Sequence, residues 1–336
     1  MFRRILAATI LVALAAVLLL AGWPQLLGWE RLPVIAQLVS LRGLAVLVGA
    51  GVVILFTLIA LLAPRLRRFA GSVALLVLVF CAVTVAVLAT RGFGDPAFQT
   101  AAPGDVTVLS WNTLGDAPGA ERIAGLAAEV EADVVVLPET SGETAEIVAA
   151  ILTDGGRPMQ ALYLSLDEIS KARTTAVLIS EELGEYTRDD SAGTTETLPS
   201  LVAVPLDGRG PTIVAAHPVA PIPGEMAAWR SGLLWLADRC AGENVILAGD
   251  LNSTLDHYTA LGTDGGAIGS CRDAARATGN AAVGTWPTSF PQLLGAPIDH
   301  VMATPDWEIV GFRVVGSRDG DGSDHRPVVA QLRPVS

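Results

Sequence analysis

The sequence predicts an α/β or α+β sandwich preceded by three transmembrane helices, and three observations predict it. The 336 residues are 51% hydrophobic with a mean hydropathy of +0.50, too high for an ordinary soluble domain. Charge divides by position: residues 1–103 hold eight Arg against Glu30 and Asp95, a net of +6. Residues 104–336 hold the other fourteen Lys and Arg against thirty-two Asp and Glu, a net of −18. Beyond residue 104, short runs rich in Val, Ile and Leu are interspersed with helical patterns.

The first part, residues 1–90, reads as a membrane anchor. Arginines bound three apolar windows, Ile5–Trp29, Gly43–Pro64 and Phe69–Thr90, and none contains an ionisable side chain apart from Cys81. Each has the ~20 residues that cross a hydrocarbon core of ~30 Å. The first should end near Gly22, where Trp23-Pro24 combines an interfacial aromatic with a helix breaker, so the expected spans are about 5–22, 43–64 and 69–90. A cleaved signal peptide is the competing reading of the first span; the run is longer than a usual signal core and no A-x-A-like site follows it. The spans hold no charged or His residue that would mark a transport path.

Orientation follows from the arginines of the short loops. Arg3 and Arg4 precede the first span, and Arg65, Arg67 and Arg68 lie between the second and third, so both sides are expected in the cytoplasm. The chain then reads as a multi-pass plasma-membrane protein whose acidic C-terminal part is extracytoplasmic. Cys240 and Cys271, the only cysteines of that part, become a disulfide candidate in an oxidising compartment. Such a bridge would close a loop of about 30 residues and contribute ~3 kcal/mol on the chain-entropy model; two free buried thiols are the alternative.

Residues 91–104, rich in Gly, Pro and Ala, read as a linker to a second part over residues 105–336. This is long enough for one substantial core. Strands are expected at Val106–Ser110, Asp133–Leu137, Thr174–Ile179, Leu201–Pro205, Thr212–Ala216, Asn244–Leu247, Pro297–Ala303 and Val328–Leu332. Helices are expected at residues 119–131, 141–152 and 225–240; in the first, Ile123, Leu126, Ala127 and Val130 share a face.

Polar residues recur at or near strand ends. Asn112 follows VTVLSWN, Glu139 follows VVVLPE, His217 follows TIVAAH, Asp250 and Asn252 follow VILAGDLN, Asp299 lies in PIDHVMA, and Asp324-His325 precede PVVAQL. Each alone has a plain structural explanation as a turn residue or cap. Jointly they supply hard oxygen ligands suited to Mg²⁺ or Mn²⁺ and two imidazoles that exchange protons near neutral pH. That set suits phosphoryl transfer to water. The chain has only four His. His300, beside Asp299 in a strand, should point to the opposite face as a structural residue, and His257 is expected to be solvated or a cap.

The ordered series WN, LPE, AAHP, GDLNST, PIDHV and GSDHRP resembles the endonuclease/exonuclease/phosphatase superfamily of metal-dependent phosphohydrolases, over residues 105–333. The resemblance implies a four-layer sandwich of two mainly antiparallel sheets flanked by helices. It implies that Glu139 is the principal Mg²⁺ ligand, with Asn112 and Asp324 near it, and that Asp250, also placed at the metal, acts with Asn252 to orient the attacking water and the phosphate. His325, oriented by Asp299, would contact the phosphate, and His217 would be the second phosphate-side imidazole. The sequence departs from the family pattern in having LPE for LQE, no Arg before Ile298-Asp299, and His300 where an aromatic is common; no carboxylate is assigned to orient His217.

Three functions compete. One is an anchored phosphodiesterase acting on lipid head groups or small phosphoesters, with the bilayer as partner. The second is an extracytoplasmic nuclease, disfavoured by a charge of −18 and the lack of a basic stripe beyond the Lys171–Arg173 pair. The third is a non-catalytic tethered binding domain.

Overall fold

The computed structural model describes residues 1–94, 97–167 and 169–335. Positions 95 and 96 of the expected linker and position 336 of the second domain lie outside the described residues.

Three helices are long and apolar enough to cross a membrane: α1 (Phe2–Gly22), α3 (Arg42–Leu62) and α4 (Arg67–Arg91). They begin up to three residues earlier than the sequence suggests, because flanking Arg and Phe residues continue the helical turn. A short helix α2 (Ile35–Ser40) interrupts the segment between α1 and α3. Helices α1 and α3 both pack on α4 rather than on each other, so α4 is the most covered of the three, with 28% of its apolar window buried against 6% for the others.

The second part contains thirteen strands in two sheets. In chain order the elements are β1 (Val106–Ser110), α5 (Ala120–Glu129), β2 (Val134–Pro138), α6 (Gly142–Asp154), β3 (Met159–Ser165), β4 (Thr174–Ser180), β5 (Tyr186–Arg188), β6 (Leu201–Pro205), β7 (Thr212–Ala216), α7 (Met226–Arg239), β8 (Val245–Asp250), β9 (Ala267–Ile268), β10 (Cys271–Asp273), α8 (Ala274–Ala277), β11 (Asp299–Ala303), β12 (Trp307–Val314) and β13 (Val328–Pro334). One sheet runs β12-β13-β1-β2-β4-β3 and the other β5-β6-β7-β8-β11-β10-β9. All pairings are antiparallel except β1 with β2 and β7 with β8. Each sheet is thus centred on one parallel β-α-β unit, the crossover helix being α5 or α7.

Alternation of side chains builds the layers. Val106 and Val108 of β1 and Val134 and Val136 of β2 join Ile213, Ile246 and Val301 of the second sheet in the core between the sheets. Leu109, Val135 and Leu137 point the other way, against Ile123 and Val148 of α5 and α6. Both faces of β2 are therefore dry, which is why its sequence is an unbroken apolar run. On the other face of the second sheet, Trp229 and Leu233 of α7 join Val214 and Leu247 in the same cluster, and a Cys240–Cys271 disulfide ties the end of α7 to β10.

Five strands had no sequence signal. β9 and β10 are two and three residues long, β5 is a three-residue edge strand, and β3 and β12 are edge strands with mixed exposure, so none shows clean alternation. The strand expected at Asn244–Leu247 runs on to Asp250, and that expected from Pro297 begins at Asp299.

The anchor and the second domain touch through polar contacts. Arg42 and Arg91, at the domain-side ends of α3 and α4, both pair with Asp256, at 2.6 and 2.8 Å. Gln25 Nε2 donates to Asp256, and Arg31 donates to the carbonyls of His257 and Thr259. The start of the expected linker is itself held, Ala281 and Ala282 donating to the carbonyls of Arg91 and Gly92. His257 is fully buried rather than solvated: Nδ1 accepts from the Thr254 amide, the expected cap, while Nε2 meets the Ala36 carbonyl at 3.1 Å.

Candidate active site

Strand polarity gathers the polar residues onto one edge. β1 and β2 run parallel, so Asn112 and Glu139, just beyond their ends, emerge together; β7 and β8 do the same for His217 and Asp250. β11 runs antiparallel to β8 with Asp299 opposite Asp250, and β13 runs antiparallel to β1 with Val328 opposite Ser110. Asp299 and the Asp324-His325 pair therefore arrive at the same edge from the opposite direction.

Local backbone serves this placement. Glu139 has φ +56 and Asn252 has φ +46, left-handed conformations that turn the chain sharply after β2 and β8. Before Asp250, Gly249 has φ +148, and a Cβ there would overlap the carbonyl of Ala216, so only glycine lets β7 and β8 approach here.

Asn112 is the bridge between the sheets: its Nδ2 donates to Glu139 Oε1 at 3.0 Å and to Asp250 Oδ2 at 3.1 Å. Asp250 Oδ1 accepts the backbone N–H of Asn252 at 2.9 Å, and Asn252 Nδ2 donates to the Pro218 carbonyl. His325 Nδ1 donates to Asp299 Oδ2 at 2.9 Å, while Nε2 lies 3.7 Å from Asp250 Oδ2 and 4.0 Å from Asp324 Oδ1. His217 Nε2 lies 3.7 Å from Glu139 Oε1. The site is open at Glu139 and Asp324, whose side chains are 18% and 40% exposed, and closed elsewhere.

Charge is unbalanced. Among the described residues no Lys or Arg pairs with Glu139, Asp250, Asp299 or Asp324; the only cationic partner is imidazole. Burial raises the Glu139 carboxyl and lifts Asp250 to about 7. Burial opposes a charged His325, but Asp299, Asp250 and Asp324 outweigh it and push the ring up to about 10. His217, fully buried, is lowered to about 3 and stays neutral. Its Nε2, Asp299 Oδ1 and Asp324 Oδ1 are buried with no hydrogen-bond partner.

A divalent cation fits this chemistry: four carboxylates, orphaned acceptors and no Lys or Arg counter-charge among the described residues favour a hard cation with oxygen ligands. Asp250, Asp299 and His325 bring ligand atoms within 4.8 Å of one another and could hold a metal. His325 Nδ1 is already committed to Asp299, which leaves its Nε2 for such a cluster.

Some supporting residues carried no sequence signal. Trp286 Nε1 donates to Asp324 Oδ2 at 2.8 Å, and Ser323 Oγ donates to the Asn112 carbonyl at 2.6 Å. Among the described residues no carboxylate meets His217 Nδ1; the Thr175 hydroxyl does, at 3.5 Å. His300 points away from the site, its Nδ1 2.6 Å from Asp273. Lys171, near the edge, is tied to Asp116 at 3.0 Å.

Residues 109–325 match the family model described as the Endonuclease/Exonuclease/phosphatase family. A solved endonuclease/exonuclease/phosphatase from Beutenbergia cavernae DSM 12333 is similar at 20% identity, covering 69% of this chain and 72% of its own, with a TM-score of 0.52. A humanised D. rerio TDP2 is similar at 17% identity over 68% of this chain and 99% of its own, TM-score 0.52. An endonuclease/exonuclease/phosphatase from Bacteroides vulgatus matches at 17% identity over 69% and 99%, TM-score 0.50. At such identities the likeness is one of fold. No curated protein matches the chain.

Proposed function

The chain belongs to the endonuclease/exonuclease/phosphatase family, whose members are metal-dependent phosphoester hydrolases, and from that premise we propose that it is a membrane-anchored, Mg²⁺-dependent phosphodiesterase acting on lipid head groups or small phosphoesters on the extracytoplasmic side. The observation that carries this reading is the convergence of Asn112, Glu139, His217, Asp250, Asp299, Asp324 and His325 from both sheets onto one open edge.

Glu139, Asp250 and Asp324 would hold the ion, with Asn112 Nδ2 positioning the first two, and the ion would supply charge neutralisation at the phosphate and a more acidic bound water. Burial raises the Asp250 carboxyl, which favours it as the proton acceptor from water. The Asn252 backbone N–H donates to its Oδ1 and holds the carboxylate in place. His325, held as imidazolium by Asp299, offers its Nε2–H to a phosphate oxygen. His217, neutral, stands on the Glu139 side as the second imidazole.

Anchoring is supported by α1, α3 and α4, each long and apolar enough to span a bilayer. Orientation is supported by the arginines. Arg42 and Arg91 on the domain side are consumed by Asp256, whereas Arg3, Arg4, Arg65, Arg67 and Arg68 at the opposite ends form no ion pair among the described residues. The lipid or small-phosphoester preference rests on charge: the basic pair near the edge is neutralised, Lys171 by Asp116 and Arg173 by Asp167.

The test is the full chain reconstituted in vesicles with Mg²⁺ and offered phospholipid, bis(p-nitrophenyl) phosphate and plasmid DNA. Hydrolysis of the first two with little DNA cleavage is expected. DNA cleavage without action on lipid or the small diester would reverse the assignment.

A further inference from the structure

Because α1 and α3 both lean on α4, a gap remains between them. It is an apolar groove of about 1320 Å³, with Leu18 and Val48 on its walls, Phe80 at its floor, Leu38 above, and Ile222 and Arg230 contributed by the second domain. Its volume exceeds the ~300–1,000 Å³ of ordinary small-ligand pockets. Val48 and Ile222 are 60% and 52% exposed.

Three features say what occupies it. First, its lower walls are the domain-side halves of helices whose surroundings are hydrocarbon, so the medium that fills it is lipid from the leaflet facing the second domain, whichever way the chain inserts. Second, its few polar side chains lie at the domain end. Arg230 has no acidic partner among the described residues, its Nη1 donating only to the Arg31 carbonyl at 3.2 Å. Gln37 Nε2 donates to the Pro221 carbonyl, while its Oε1 is buried with no partner. A guanidinium with no acidic partner above an apolar slot complements a phosphate head group above acyl chains.

Third, the groove is lined by the segment that follows His217. Pro221 lines it four residues after His217, within about 14 Å along the chain. Between them, the Pro218 carbonyl accepts from Asn252. Trp229, one residue before Arg230, donates from Nε1 to the Asn252 carbonyl. The segment that follows His217 thus walls the groove and is tied to the Asn252 loop.

We propose that this groove receives an acyl chain of a membrane phospholipid and so presents that lipid's phosphate to the Glu139–Asp250–His325 site. The proposal rests on the phosphoesterase reading and narrows its substrate to a lipid taken directly from the leaflet.

The test uses the full chain in phosphatidylcholine–phosphatidylglycerol bilayers containing phosphatidylcholine with a photoactivatable diazirine in its acyl chain. Labelling is expected several-fold heavier at Leu18, Leu38, Val48 and Ile222 than at Leu19, Leu47 and Val85, which are exposed at the same end of the helices but outside the groove. Val48→Trp, which fills the groove, is expected to lower phospholipid hydrolysis by about tenfold or more while leaving bis(p-nitrophenyl) phosphate hydrolysis within about twofold, the latter certifying the fold. Even labelling overturns the proposal, as does weaker labelling inside the groove, which a second copy of the chain covering it would give. So does an equal loss on both substrates, or a wild-type chain that hydrolyses only the soluble diester. A chain that hydrolyses neither refutes the phosphoesterase reading, and the labelling pattern then decides the groove by itself.

Discussion

Asp299 holds His325 Nδ1 at 2.9 Å and keeps the buried ring charged, so Asp299→Asn removes both the orientation and the charge of the imidazole. A fall in kcat of about 10²-fold or more is expected with KM changing less, measured by steady-state hydrolysis of a soluble phosphodiester; a change under about threefold would contradict the role. At this scale the sequence was informative because every one of the seven site residues lies at or near a strand end, where pattern reading is most secure. Their partners were not legible. Trp286, Thr175 and Ser323 reach the site from loops and a neighbouring strand, and nothing in their local sequence distinguishes them from ordinary turn or core residues. His257 misled for a related reason: LDHYTAL looks like an exposed turn, and only the distant Ala36 carbonyl explains its burial.

Each sheet's central β-α-β unit fixes the edge, and its tightest point is Gly249. Gly249→Ala would force a Cβ into the Ala216 carbonyl at φ +148, and a loss of more than about 3 kcal/mol is expected in denaturant unfolding of the full chain in detergent. Reducing the Cys240–Cys271 bridge, or replacing both residues by Ala, should cost about 3–4 kcal/mol for a loop spanning 31 positions. An unchanged midpoint under reducing conditions would show that the bridge does not form. The central strands were readable because both faces are buried; the edge strands β3, β5 and β12 were not, because half-exposed positions blur the period of two on which the reading depends.

The whole molecule is held together by a buried contact between its two parts that no local pattern announces, since Asp256 lies 214 positions from Arg42 and 165 from Arg91. Burial works against the Asp256 charge, but Arg91 and Arg42 overcome it and hold the carboxyl far below its ordinary value. Asp256→Ala leaves two arginines without their carboxylate, so a lower Tm and new tryptic cleavage after Arg91 are expected, the cost being about 3–5 kcal/mol. Next to it, burial holds His257 near 4 against an ordinary 6.5. Because the folded state resists protonation, this site's stability is complete above pH 6.5 and is lost as pH falls toward 4, by about 3 kcal/mol in all. His257→Gln, which retains a donor and an acceptor, should flatten the Tm profile in that window; an identical profile would assign the acid sensitivity elsewhere.

The central claim is that the edge shared by the two sheets is a divalent-metal phosphoester site, and the most direct measurement is a Mg²⁺ titration of bis(p-nitrophenyl) phosphate hydrolysis by the full chain beside its Glu139→Gln variant. The wild-type rate should rise from near zero to saturation with added Mg²⁺, while the variant, still folded by circular dichroism, stays at least about 10³-fold lower at every concentration. A wild-type rate indifferent to Mg²⁺ and chelator, or a variant as active as the wild type, would contradict it.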